Sequence, residues 1–227
     1  MKKVKLLTSL SLTLGIIMSS SIPAFAADSN LPTTNPNTEV YGSASLDDSS
    51  TIVSGPLTFD QIVNEISKDH NISREKAITQ IESNFANSRS LKSRSISSAA
   101  LSARAATYHT VSSTVTVNTV YKPTIKFYCK TDTWPGSSFR AIDKILDISL
   151  NRSYNGMSKQ FGGTIYAHLE TSNRIYWRLE GDFYNNGTTT YNGKVDIGLG
   201  DDSSISFGVS HSKNHYAYAY KTGYARF

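Results

Sequence analysis

The sequence predicts a mainly β chain: an antiparallel β-sandwich or small barrel of about seven strands, preceded by a short helical hairpin and disordered linkers. Of the 24 aromatic residues (13 Tyr, 9 Phe and 2 Trp), 20 lie beyond residue 106, where they can supply the large side chains of a core. Apolar residues in that region recur at every second position, which is the period of a half-buried strand. Cys129 is the single cysteine, so the core must hold the domain without an intramolecular disulfide, and we expect this thiol to be buried as a small apolar group.

The first 26 residues predict an export signal. Lys2, Lys3 and Lys5 form a basic start, residues 6–18 form a short apolar run, and a small-large-small motif ends at Ala26. We therefore predict that the signal peptide is cleaved after Ala26 or nearby and that the protein is secreted to the extracellular space.

The charge balance argues against a nucleic-acid partner. The formal net charge is +5, and it falls to +2 without the three lysines of the signal, because 20 basic residues then face 18 acidic ones. Nucleic-acid binding proteins carry a dense basic stripe, which this chain lacks.

Two segments separate the signal from the aromatic region. Residues 27–55 are rich in Ser, Thr, Asn and Asp and predict a disordered linker. Residues 56–86 predict a helical hairpin, with a capping box at Thr58 and Gln61 and a second helix capped by Ser73. Each helix has one apolar face, so we expect the hairpin to dock on another part of the protein, as a pro-region would if it is later removed.

Residues 87–106 predict a linker rich in Ser, Ala and Arg. Basic side chains are spread among its small residues: Arg89, Lys92, Arg94 and Arg104. Two interpretations stay open, a solvated linker and a processing site that releases the β-domain.

Residues 107–227 predict the β-domain, and one strand shows the pattern best. Apolar side chains (Ile175, Trp177, Leu179) alternate there with polar or half-polar ones, among them Arg174 and Arg178. Turns are predicted at residues 185–187, 200–202 and 212–214, because these segments combine Asn, Gly, Asp, Ser and Lys between apolar runs.

The histidines do not predict a metal site. His211 and His215 are separated by four residues, which in an extended strand is about 13 Å, too far for one zinc ion. His109 and His168 fall on polar positions and are expected on the surface. We predict no metal and no cofactor.

The carboxylates do not predict catalysis either. Asp143 with Asp147, or Glu180 with Asp182, could form the acid and base pair of a glycoside hydrolase, yet the ordinary explanation for alternating charges on a strand is cross-strand ion pairing. The sequence contains no nucleophile elbow, P-loop or zinc-binding cysteine pattern. We therefore predict that the protein is not an enzyme.

Aromatic presentation is the best candidate for a functional surface. Tyr216, Tyr218 and Tyr220 occupy alternate positions near the end of the chain, and Trp134 lies beside a Pro-Gly pair in a predicted loop. Such side chains form either a packed sheet face or a flat aromatic surface for sugar rings or a membrane interface.

Four segments resemble uncharacterised secreted proteins of Gram-positive, Bacillus-type bacteria, in which a helical leader segment precedes a C-terminal β-domain. The segments are LTFDQIV at 57–63, NISRE at 71–75, SKQFGGTIY at 158–166 and GDFYNNGTTT at 181–190. The resemblance implies location and architecture, and it carries no activity.

These observations predict a secreted, non-catalytic β-domain that acts at or near the cell envelope, either with its helical segment or released from it as from a pro-region. Its expected partners are envelope carbohydrate or a membrane surface, and the sequence does not predict an oligomeric state. Two alternatives stay open: a membrane-active toxin or bacteriocin-like protein, and a cell-envelope hydrolase.

Overall fold

The structure is a computed structural model that describes residues 51–86, 96–133 and 140–227. Within these residues the helices are α1 (Phe59–His70), α2 (Arg74–Ala86) and α3 (Ile96–Ala105). The strands are β1 (Thr51–Val53), β2 (Thr107–Thr114), β3 (Thr124–Thr133), β4 (Arg140–Asn151), β5 (Ser153–Tyr154), β6 (Met157–Ser158), β7 (Gln160–Thr171), β8 (Arg174–Asn192), β9 (Ile197–Gly198) and β10 (Asp202–Arg226). The predicted signal peptide lies outside the described residues, as do Trp134, Arg89, Lys92 and Arg94.

The strands form two main antiparallel sheets and one short hairpin. The first sheet has the order β1-β2-β3-β4-β9, and β5 pairs with β6. In the second sheet β7, β8 and β10 each pair with the other two, because the first residues of β10 pair with β7 and the remainder pairs with β8.

A single apolar core joins the inner faces of the two sheets, which confirms the mainly β, sandwich-like prediction. The first sheet contributes Ile125, Phe127 and Ile145, and the second sheet contributes Phe161 and Trp177 to the same buried cluster. Cys129 is fully buried in this cluster, as expected. Burial raises the pKa of its thiol, so the side chain stays neutral.

The helical hairpin begins and ends as its sequence predicts. Thr58 accepts a hydrogen bond from the backbone N–H of Gln61, and the Gln61 side chain accepts one from the Thr58 N–H, which completes the capping box. Asn71 ends α1 in the left-handed region at φ 52°.

The apolar face of the hairpin lies on the outer face of the first sheet. Ile62, Ile66 and Ile81 form a second buried cluster with residues of β2, β3 and β4, among them Tyr128 and Leu146. The described residues therefore form three layers: the helices, the first sheet and the second sheet. None of the helices in the described ranges is long and apolar enough to cross a membrane.

The structure corrects two linker predictions. Thr51–Val53, placed in a disordered linker by composition, pairs with β2, and Ile96–Ala105 is a helix rather than a linker. Ala99 and Ala103 are buried against the other helices, and the Ala103 carbonyl accepts a hydrogen bond of 2.5 Å from the Tyr108 hydroxyl. The small side chains of this segment, which predict a flexible linker, instead allow α3 to pack closely against the other helices.

Two of the three predicted turns are instead kinks in long strands. The turn at 200–202 is present, with Gly200 at φ 79°. The segments 185–187 and 212–214 lie inside β8 and β10, and they face each other where the register shifts after Ser210. Gly187 has φ 129°, so the chain bends there and keeps its pairing instead of reversing.

Candidate functional site

The outer face of the second sheet carries a group of tyrosines that we call the tyrosine face. Its members are Tyr166 of β7, Tyr176 of β8, and Tyr218, Tyr220 and Tyr224 of β10. The register places Tyr224 opposite Tyr176 and Tyr220 opposite Glu180, so these side chains share one side of the sheet. The opposite side of the same strands faces the core.

The rings contact one another and the arginines between them. The Tyr176 ring centroid lies 5.6 Å from that of Tyr224 and 6.1 Å from that of Tyr166, both in edge-on geometry. The guanidinium of Arg174 lies 5.0 Å from the Tyr224 ring and that of Arg178 lies 5.4 Å from the Tyr166 ring. Such contacts fix the orientation of the half-buried rings.

Two tyrosines are presented to solvent. Tyr218 is 54% exposed and Tyr220 is 45% exposed, which is unusual for large aromatic side chains. The Tyr218 hydroxyl lies 3.4 Å from Glu180 Oε1. These rings offer flat apolar area with a polar tip at the surface.

The face carries charges of both signs. Arg174, Arg178 and Arg226 alternate along the strands with Glu180 and Asp182. Asp202 at the margin accepts a hydrogen bond of 2.8 Å from the Tyr166 hydroxyl, and that bond raises the pKa of Tyr166. The tyrosine face is therefore aromatic and close to electrically balanced.

Tyr216 does not belong to this face, which corrects the sequence prediction. The register shifts between His215 and Ala217, so Tyr216 turns toward the core and its ring lies 5.6 Å from that of Tyr121. His215 takes the outward position, and its Nε2 lies 2.8 Å from Asp182 Oδ1. The β-bulge was not visible in the alternating pattern.

Apart from the tyrosine face, a polar cluster that the sequence did not predict lies buried between the helices and the sheets. His70 Nε2 at the end of α1 lies 2.9 Å from Asp147 Oδ2 of β4, and both side chains are at most 2% exposed. The Tyr191 hydroxyl of β8 donates to Asp147 Oδ1 at 2.9 Å, and the His70 and Tyr191 ring centroids are 4.0 Å apart. Burial, followed by the charge of Asp147, raises the pKa of Tyr191.

Asp143 and Asp147, which the sequence suggests as a carboxylate pair, lie in different surroundings in the structure. Asp147 is enclosed with His70, whereas Asp143 is partly exposed and pairs with Lys130. Glu180 and Asp182 lie side by side on the tyrosine face, where Glu180 is near the Tyr218 hydroxyl and Asp182 is near His215.

His109 is also buried, which corrects its expected surface position. It is 5% exposed, its Nδ1 lies 2.7 Å from Thr131 Oγ1, and its ring lies against that of Phe227. Burial and the charge of Arg140 lower the pKa of His109. His168 is partly exposed, and its Nδ1 lies 3.0 Å from the Asp201 carbonyl.

No group of three or more His, Cys, Asp or Glu side chains in the described part of the chain is arranged to hold a metal ion. No protein-family model, no curated protein and no solved structure matches this chain, so its function must be inferred from the geometry of its own sites.

Proposed function

We propose that this chain is a secreted, non-catalytic protein that acts at the cell envelope by binding neutral carbohydrate through the tyrosine face. The observation that carries the proposal is the exposure of Tyr218 and Tyr220, at 54% and 45%, beside three further tyrosines on one sheet face. Sugar rings stack their C–H faces on such aromatic rings, and nearby hydroxyl and carboxylate groups accept hydrogen bonds from sugar hydroxyls.

The charge balance of the face favours a neutral glycan over an anionic membrane. Binding to anionic lipid gains about 1 kcal/mol for each Lys or Arg held near the surface, provided that the charges are not cancelled. Here the arginines are interspersed with Glu180, Asp182 and Asp202, which removes most of that attraction.

The kinked halves of β8 and β10 give no support to membrane insertion. A strand that spans a bilayer alternates apolar and polar side chains over about 9–11 residues. Residues 184–192 read Tyr-Asn-Asn-Gly-Thr-Thr-Thr-Tyr-Asn, which places polar groups on both faces. A toxin-like activity would therefore need a different arrangement of these strands.

We also propose that the helices stay attached to the β-domain. Tyr108, Tyr128 and Leu146 are fully buried on the helix-facing side of the first sheet, and removing the helices would expose all three. Each such side chain contributes about 1.5–3 kcal/mol when buried. The helices also cover the sheet that lacks the tyrosine face, so their removal is not needed to uncover it.

The proposal is tested by calorimetric titration of the full chain with neutral oligosaccharides such as chitotetraose and cellotetraose. We expect Tyr218→Ala and Tyr220→Ala each to weaken binding about 5- to 10-fold, since each removes a stacking ring. Val120→Ala is the matched control, because Val120 is 60% exposed but lies in the loop between β2 and β3.

Two outcomes would overturn the proposal. One is unchanged binding in both tyrosine variants, which would place the sugar elsewhere. The other is dye release from phosphatidylglycerol vesicles by the wild-type chain without sugar binding, which would favour the membrane-active alternative. The mass and N-terminal sequence of the secreted product test whether the helices are retained.

A further inference from the structure

A polar crevice runs between the helical hairpin and the kinked half of β8. It consists of two cavities, of about 310 and 510 Å³, and both are lined by His70, Asn71, Thr188, Thr189 and Tyr191. The first cavity extends to the end of β4 and the second extends along α2. The crevice is on the helix side of the molecule and is separate from the tyrosine face.

Arg152 lines the first cavity and is held from one side by neutral acceptors. Its Nη1 donates to Gln160 Oε1 at 2.5 Å, to Thr189 Oγ1 at 2.7 Å and to the Lys159 carbonyl at 3.3 Å. Within the described residues, Nε and Nη2 of Arg152 donate no hydrogen bond, and the planar fork of arginine suits a carboxylate or phosphate group.

No carboxylate within the described ranges is in ion-pair contact with Arg152, although its side chain is half-buried. The neutral acceptors replace part of the hydration that this half-buried cation loses, but they carry no opposite charge. Burial accordingly lowers the pKa of Arg152. An anionic group bound in the cavity would supply the missing counter-ion.

The acidic groups near the crevice are already engaged. Asp69 lines the first cavity, but its Oδ2 lies 2.8 Å from Lys126 Nζ and it accepts a hydrogen bond from Tyr128. Asp147 is bound to His70 and Tyr191. Arg152 is the only Lys or Arg side chain among the described residues that line the first cavity.

The second cavity adds another cation and several neutral hydrogen-bonding groups. Lys76 of α2 lines it and forms no ion pair among the residues that the structure covers. The neutral groups are hydroxyls and amides, from Asn71, Gln80, Thr188, Thr190 and Asn192. Side chains of this kind recognise the hydroxyl groups of a polyol.

We propose that this crevice binds a polyol that carries a phosphate or carboxylate group, such as a sugar phosphate or a sugar acid. Arg152 binds the anionic group, and the hydroxyl and amide side chains of the second cavity bind the polyol. The combined volume is several times that of a bare phosphate ion, whose binding would leave most of the crevice to water. This site does not depend on the proposed role of the tyrosine face.

Calorimetric titration of the full chain tests the site with five probes: glucose 6-phosphate, glycerol 3-phosphate, glucuronate, glucose and inorganic phosphate. We expect glucose 6-phosphate or glucuronate to bind at least 10-fold more tightly than glucose and than inorganic phosphate. The comparison of the phosphates with glucuronate identifies which anionic group is preferred.

Variants assign the binding to the crevice. Arg152→Gln should weaken binding about 10- to 100-fold, because a charge-assisted bidentate contact is lost. Lys76→Gln should weaken it about 2- to 5-fold, because Lys76 is exposed. Lys221→Gln, on β10 away from the crevice, is the control and should bind as the wild type does.

Arg152 follows the end of β4 and hydrogen-bonds to Gln160 of β7 and Thr189 of β8, so Arg152→Gln could destabilise the fold. Arg152→Lys keeps the charge, and Lys76→Gln and Thr188→Val leave the Arg152 network intact, so these variants keep the test decisive. The proposal is overturned if no probe binds, if inorganic phosphate binds as tightly as the sugar phosphates, or if the folded variants among Arg152→Gln, Lys76→Gln and Thr188→Val bind as the wild type does.

Discussion

The two sheets differ in what covers their outer faces. The first sheet covers its outer face with helices, so that Tyr128 is fully buried there. The second sheet leaves Tyr218 54% exposed and surrounds its tyrosines with charged side chains. The same residue type thus packs a helix on one sheet and forms a candidate binding surface on the other. The faces differ in what lies on them. Apolar side chains of the helices pack against the first sheet, whereas arginine and carboxylate side chains lie among the tyrosines of the second.

The largest expected effect on stability comes from a substitution in the helix-covered face of the first sheet. Ile66 is fully buried between α1 and the first sheet, so Ile66→Ala should lower the free energy of unfolding by about 2–5 kcal/mol. Chemical denaturation measures the change. Tyr218→Ala is the contrast and should stay within about 0.5 kcal/mol of the wild type. Equal losses in the two variants would show that the faces do not differ as described.

An ion-pair cluster between helix and sheet should contribute less. Lys126 Nζ of β3 lies 2.8 Å from Asp69 Oδ2 and 3.3 Å from Glu65 Oε2 of α1. Burial alone would lower the pKa of Lys126, but the two carboxylates outweigh it and raise the pKa. We expect Lys126→Met to cost about 1 kcal/mol, because these side chains are partly exposed.

A double-mutant cycle with Asp69→Asn isolates the Lys126–Asp69 contact. If the two losses simply add, the contact contributes no coupling and the helices are held by apolar burial alone.

The smallest expected effect is a pH dependence from His109, which lies between the two sheets. Its folded pKa is lowered, whereas the unfolded value is about 6.5. Between these two values the unfolded chain binds more protons, so stability should fall as the pH decreases through that window. His109→Gln should flatten this part of the profile, measured as the midpoint of thermal unfolding from pH 7.5 to pH 5. Identical slopes for both proteins would contradict the burial of His109.

The sequence predicted well what depends on neighbours along the chain. The capping box at Thr58, the end of α1 near Asn71 and the alternation around Trp177 are local patterns, and the structure contains each of them. The apolar face of the helical hairpin also predicted that it would dock.

What the sequence missed depends on contacts between distant residues. His70 and Asp147 are 77 positions apart, and no local pattern indicates that a helix end meets the middle of β4. The Asn-Asn-Gly segment at 185–187 is typical of a turn, but pairing with β10 keeps the strand continuous. The bulge beside Tyr216 reverses which residues face outward. A pattern in which every second residue faces the core does not predict such a bulge.

The mutual pairing of β7, β8 and β10 determines how another molecule can approach the second sheet. The free edge of β7 is occupied by the start of β10, and the free edge of β8 is occupied by the rest of β10. The first sheet ends in β1 and β9, which are three and two residues long. Unpaired backbone groups at a long strand edge invite strand addition by other chains, and short or paired edges suppress it. Within the described residues, the second sheet therefore has no long free edge, and recognition at that sheet must come from its side chains.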